Sequence, residues 1–262
     1  MSTRSGLRTL IRLAPEVETG LVSDVNLNTL LDKATIDLAL KGRALPRNEK
    51  VNLVANQREY VVSGASSVLS QNDFLGIDLA GGGVLFYDGS RWIGSSKDGH
   101  GDGEFEAKTR EWLDKHDVGW RTRSATTGSP RFWYLDTAED NSSNLVVGLS
   151  ETPSASQTDR LWIHYLSRGT LMTGDTHFPW TGSTTQLVHL ESYDLLLCYW
   201  CWEFINRNIL HSFGRADSYL QSYLLGAAEM ANRLPLSAHL SREGMRAVSP
   251  FTTGADRGGR RF

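Results

Sequence analysis

One stretch constrains this chain more than any other: Leu187 to Leu210, LVHLESYDLLLCYWCWEFINRNIL. Wound as a helix, it puts Leu190, Tyr193, Leu197, Cys201 and Phe204 on one stripe and Leu195, Cys198, Trp202 and Ile205 on a second. Between 193 and 205 only Asp194 and Glu203 are charged. A helix apolar nearly all round needs neighbours on several sides. At about 1.5–3 kcal/mol per large side chain buried, leaving half of it in water is costly. The run Leu195 to Trp202 is far short of the ~20 apolar residues of a membrane span. The stretch is therefore a core helix, an oligomer interface, or both, with Tyr199, Trp200 and Trp202 as the subunit-interface candidates. Ser183 or Thr184 can cap its start, because a hydroxyl there satisfies free first-turn amides.

Two further helices read clearly. In the first, Ser23 or Asp24 is the cap, Leu27, Leu30, Leu31, Ala34 and Leu38 form the stripe, and Gly42 ends it with Pro46 beyond. Its other face is polar through Asn28, Asp32, Lys33 and Thr35. The last starts near Gly214 or Asp217, runs through Tyr219, Tyr223, Ala227, Met230 and Leu234, and is expected to stop at Pro235. Between them the period falls to two: VNLVANQREYVV around Asn56-Gln57, FLGIDLA before Gly81–Gly83, a hairpin on Asp88-Gly89, then GSPRFWYLD, NLVVGLS and DRLWIHYLS. EFEAKTREWLDKH, 104–116, reads as a short helix with Phe105, Lys108, Trp112 and Leu113 on one side.

These elements predict an α+β fold: a small helical bundle, one N-terminal and two C-terminal helices, with an inserted, mostly antiparallel β domain and a C-terminal tail. The boundaries are an N-terminal arm at 1–20, read as mobile though Leu7, Leu10 and Ile11 could make a short helix turn, the bundle at 21–48 plus 183–235, the β domain at 49–182, and the tail at 236–262.

Little catalytic chemistry is legible. Cys198-Tyr199-Trp200-Cys201 has redox spacing but sits mid-helix among apolar residues, where a thiolate is disfavoured. No second such pair completes a zinc site. Asp98 to Glu104 has calcium-loop composition, but His100 and Gly101 break the ligand alternation. The seven histidines show no metal spacing, and no nucleophile elbow, P-loop or dinucleotide motif occurs. No enzyme activity, cofactor or metal is expected. A net charge of −3 and a pI near 6.2 argue against wrapping nucleic acid with the whole surface. MSTRSGLRTL lacks the apolar core of a signal peptide, and no membrane association is expected. Trp92, Trp112, Trp120, Trp133, Trp162 and Trp180 punctuate the β region as core, as contacts, or as stacking surfaces for sugars or bases.

Four places, taken in order, resemble the head-to-tail adaptor (connector) proteins of tailed bacteriophages. They are a helix ending in KGRALP (41–46), then NLVANQREYVV (52–62), then GSPRFWYLD, NLVVGLSETPS and DRLWIHYL, and finally the aromatic helix followed by a closing one. The segment 64–120 departs from that layout. The resemblance implies a structural virion protein at the neck, made in the host cytoplasm. Its copies form a dodecameric ring that docks on the portal protein, extends the DNA channel without binding DNA specifically, and meets the next neck or tail protein. It also implies that the tail reaches the portal, with Arg257, Arg260, Arg261 and Phe262 as anchors. A stopper or tail terminator is the nearest alternative. A carbohydrate-binding β-sandwich, resting on the tryptophans, is the alternative from another class.

Overall fold

The computed structural model describes residues 2–15, 17, 21–64, 66–70, 73–94, 105–125, 130–139, 143–187, 190 and 193–240. The fold is α+β: helices from both ends of the described chain share one hydrophobic core, and the β unit between them in sequence has its own.

The N-terminal region is not a loose arm. It forms helix α1 (Arg4–Arg12), capped by Thr3, whose Oγ1 accepts from the Gly6 amide. Leu7 and Ile11 are fully buried against the other helices. Arg4, Arg8 and Arg12, four residues apart, line one face. They reach Asp32 at 3.2 Å, Asn28 at 3.1 Å and Asp24 at 2.5 Å, and Arg8 also reaches Asp175. The partners Asn28, Asp32 and Asp24 lie on α2 (Asp24–Lys41), so α1 covers the polar face of α2.

Helix α2 begins at Ser23, whose hydroxyl accepts from the Asn26 amide, and all five expected stripe residues are buried. Thr35 departs from the expected polar face. It is buried, with its hydroxyl donating to the Leu31 carbonyl, and its own carbonyl accepts from the indole of buried Trp180. Gly42 follows α2 because a Cβ there would meet the Met230 sulfur at 2.8 Å.

The β unit holds β1 (Pro46–Leu53), β2 (Glu59–Ser63), β3 (Phe74–Ile77), β4 (Val84–Tyr87), β5 (Trp92–Ile93), β6 (Glu106–Ala107), β7 (Ser124–Ala125), β8 (Phe132–Thr137), β9 (Leu145–Leu149), β10 (Thr152–Pro153) and β11 (Gln157–Ser167). One sheet runs β1-β11-β4-β5, with β3 also on β11, all antiparallel. The other runs β2-β9-β8-β6, with β6 parallel to β8. β7 and β10 make a small parallel pair. The Asp88-Gly89 hairpin is present as β4–β5, its turn closed by Asp88, which accepts from the Ser90 and Arg91 amides. By contrast, β1 and β2 do not pair. Asn56, at φ 62°, turns the chain from one sheet into the other.

The sheets face each other across a core of Val51, Phe86, Leu161, Ile163 and Tyr165 from one and Tyr60, Val62, Trp133, Val147 and Leu149 from the other. The second sheet is covered on its far side too. Helix α3 (Arg110–His116) and the turn at Trp120 pack on Tyr134 and Val146 there. This explains why β9 reads LVVGL with hardly a polar position. Gly148 is required because the Tyr134 ring lies where its Cβ would be, 2.0 Å away. The expected helix at 104–116 is shorter. Thr109 caps it, Phe105 enters the sandwich core, and residues 106 and 107 form a strand.

Tyr60, Tyr134, Tyr165 and Tyr223 are buried. Burial pushes each hydroxyl above its ordinary range, Tyr165 to about 12 with help from the Asp73 charge. Tyr134 donates to Glu59 at 3.0 Å and Tyr223 to Asp37 at 2.6 Å, so both carboxylates also oppose ionisation. The native state therefore keeps protons that the unfolded chain releases above pH ~10. Stability should be unaffected below pH 10 and fall above it, by up to about 1.4 kcal/mol per pH unit for each such tyrosine. Tyrosinate absorbance should rise together with loss of circular dichroism. Independent ionisation of all eight tyrosines near pH 10 in an intact fold would contradict this.

Candidate functional site

The aromatic stretch forms α4 (Asp194–Asn208), and α5 (Phe213–Leu240) folds back along it. The start is later than expected. Ser183 accepts from the Thr185 amide within a loop instead of capping α4. Tyr193 occupies the cap position without a side-chain bond, and the Asp194 carboxylate takes the first turn, where the helix dipole favours it. The Ser2 amide donates to that carboxylate at 2.5 Å, tying α1 to the head of α4. Helix α5 continues through Pro235, since one missing amide removes one ladder bond and helical backbone flanks it.

Leu196, Leu197, Cys198, Cys201, Ile205 and Asn206 are the buried residues of α4. Burial pushes the Cys198 thiol up to about 12, helped by the Asp194 charge, and also pushes the fully buried Cys201 thiol well above its ordinary range. Both thiols are protonated core residues, not a redox pair.

The three interface candidates separate. The Trp202 indole donates to the Ile11 carbonyl of α1 at 2.9 Å, and its ring meets Tyr199 at 5.6 Å and Tyr219 at 5.4 Å. Tyr199 also stacks on Tyr219. Trp202 and Tyr199 therefore join α4 to α1 and α5 within one protomer. Trp200 stacks on Phe204, nearly parallel at 5.9 Å, and both are half-buried. The anchors expected in the tail, Arg257, Arg260, Arg261 and Phe262, lie outside the described residues, as does the acidic loop at 98–104.

The apolar side chains this pair leaves in water are others: Leu195 at 51% exposure, Phe213 at 57%, Leu224 at 43% and Leu225 at 74%. The buried stripe of α5 is Ala216, Tyr223, Ala227 and Met230. Leu225 lies off that stripe, and the doubled Leu224-Leu225 was the signal in the sequence. These side chains are a candidate contact surface, alongside exposed Leu13, Val25, Leu79 and Val118 elsewhere on the chain.

A second surface lies on the outer face of the five-stranded sheet. Strand alternation turns Lys50 of β1, Arg160 and Trp162 of β11, Tyr87 of β4 and Trp92 of β5 away from the core. Trp92 meets Tyr87 at 5.2 Å and Trp162 at 5.3 Å. The Lys50 ammonium sits over both tryptophans, at 5.6 and 5.7 Å, and the Arg160 guanidinium over Tyr87 at 4.9 Å. The other tryptophans of the β region divide between core and surface, with Trp120, Trp133 and Trp180 buried.

Among the described residues no group of three or more His, Cys, Asp or Glu is placed to hold a metal, and no helix is long and apolar enough to cross a membrane. Neither a protein-family model nor a curated protein matches the chain.

Proposed function

We propose that the protein is a structural, non-enzymatic head-to-tail adaptor of a tailed bacteriophage, made in the host cytoplasm and carried in the virion neck. Copies would form a dodecameric ring that docks on the portal protein, continues the DNA channel and receives the next neck or tail protein. The observation that carries the reading is the closing helical pair. It packs with α1 and α2 into one helical core, with the β unit between α2 and α4 in chain order, yet leaves Leu195, Phe213, Leu224 and Leu225 exposed. A ring built from heterologous contacts needs such a surface on every copy, and each contact should bury at least about 1,000 Å². The order of elements resembles that adaptor family, which supports the same reading. A stopper or tail terminator would differ in its place in the neck stack.

The test is the mass of the full chain alone and mixed with the portal protein of the same phage. A multimer that forms with portal supports the proposal. A chain that stays monomeric beside portal and is missing from purified virions sinks it.

A further inference from the structure

The described chain covers both faces of one sheet and leaves the outer face of the other part-exposed around Trp162. That face is unusual in what it brings together. Lys50, Arg160, Trp162, Tyr87 and Trp92 come from four strands and converge by register: Lys50 stands opposite Trp162, and Tyr87 opposite Trp92. Lys50 and Arg160 make no ion pair among the described residues: Lys50 rests over Trp92 and Trp162, and Arg160 rests over Tyr87 with one guanidinium nitrogen donating to the Tyr87 carbonyl at 3.1 Å. Cations held in this way are pre-positioned for an anion, and the part-exposed rings beside them are fixed in place, Trp162 packed on Trp92 and His164 with its indole donating to Asn48. The nearby turn carboxylate, Asp88, is already occupied by the Ser90 and Arg91 amides, which hold it down to about 2.

We infer that this outer face, centred on Lys50, Trp92, Arg160 and Trp162, binds single-stranded nucleic acid. A ligand that satisfies both features must alternate anionic and planar groups. A neutral sugar uses the rings and leaves the cations idle. An acidic peptide uses the cations and leaves the rings idle. A strand of nucleotides uses both, with phosphates on Lys50 and Arg160 and a base on the tryptophan wedge. Duplex DNA keeps its bases stacked inside, so it engages only the cations. Stacking accepts any base, so binding is sequence-tolerant. The net charge of −3 does not oppose this, because the site's charge is local. The inference is independent of ring assembly, and its failure would leave the adaptor reading standing.

The experiment is fluorescence anisotropy of a labelled oligothymidylate titrated with the full chain, repeated across salt concentrations. The single strand is expected to bind more tightly than its duplex with oligoadenylate, and more tightly than polyphosphate of matched charge. Trp162→Ala should weaken it about tenfold or more, while Trp162→Phe retains most of the affinity. Lys50→Gln and Arg160→Gln should each weaken binding and flatten the salt slope by about one ion. Leu225→Glu, on the helical pair, should bind as the parent does. If Trp162→Ala unfolds, the Phe and Gln variants carry the test. No binding at low salt overturns the inference. So does equal binding of duplex or polyphosphate with no dependence on Trp162, and so does Trp162-dependent binding of a glycan in place of the oligonucleotide.

Discussion

Leu225→Glu should leave the protomer folded and stop it assembling on the portal. The side chain is 74% exposed, and it lies off the stripe by which α5 packs on α2 and α4. Replacing it in the free protomer removes almost no burial, so the unfolding free energy should change by less than about 0.5 kcal/mol. In the apolar contact of the proposed ring the same carboxylate must lose its water without a partner, which would cost several kcal/mol at each such interface. Because a closed ring repeats the contact once per copy, the loss is expected to be all-or-none. Phe213→Ser at the head of α5 should act in the same direction. The readouts are a urea transition indistinguishable from the parent and a native mass that stays monomeric beside portal. Rings of normal size from Leu225→Glu would show that α5 does not carry the subunit contact.

What could be read from the sequence was local, and what could not was a matter of pairing. Ser23, the Leu27 to Leu38 stripe and Gly42 defined α2 because cap, face and terminus all lie within one helix. The Asp88-Gly89 hairpin was legible for the same reason. The strands β1 and β2 alternate in the same way, and nothing in either sequence says that one pairs with β11 and the other with β9. Arg4, Arg8 and Arg12 did carry a signal, four residues apart with Leu7 and Ile11 between them, but its meaning depended on carboxylates across the bundle. Of the three aromatics chosen as interface candidates, Tyr199 and Trp202 are spent on internal contacts, and the exposed apolar side chains of the pair lie mostly on α5, where only the doubled Leu224-Leu225 marked them. The outward position of Trp162 follows from its alternation with Leu161 and Ile163. Its neighbours Trp92 and Lys50 were supplied by the register of other strands.

Those internal contacts set up the second large effect: Ile11→Asp should release α1 and lower stability by about 2–4 kcal/mol. Ile11 is fully buried, and its carbonyl is the acceptor for the Trp202 indole. The nearest cations on its side of the helix, Arg8 one turn before it and Arg4 two turns before it, are already engaged by Asn28, Asp175 and Asp32, so a carboxylate at this position must compete for them. The helix has nine residues and too few bonds to persist undocked, so the cheapest escape is for all of it to leave. That escape limits the loss, since docking also orders about nine residues at a cost of 1–2 kcal/mol each. Undocking frees the bonds after Arg4, Arg8 and Arg12, so trypsin should cleave there much faster than in the parent, with the body of the chain intact. It should also expose Trp202, red-shifting tryptophan emission. Trp202→Ala should reproduce the cleavage, because it removes the same contact from the side of α4. Unchanged cleavage in both variants would mean that α1 is held by its arginines alone, and Arg4→Gln with Arg8→Gln would then release it where Ile11→Asp does not.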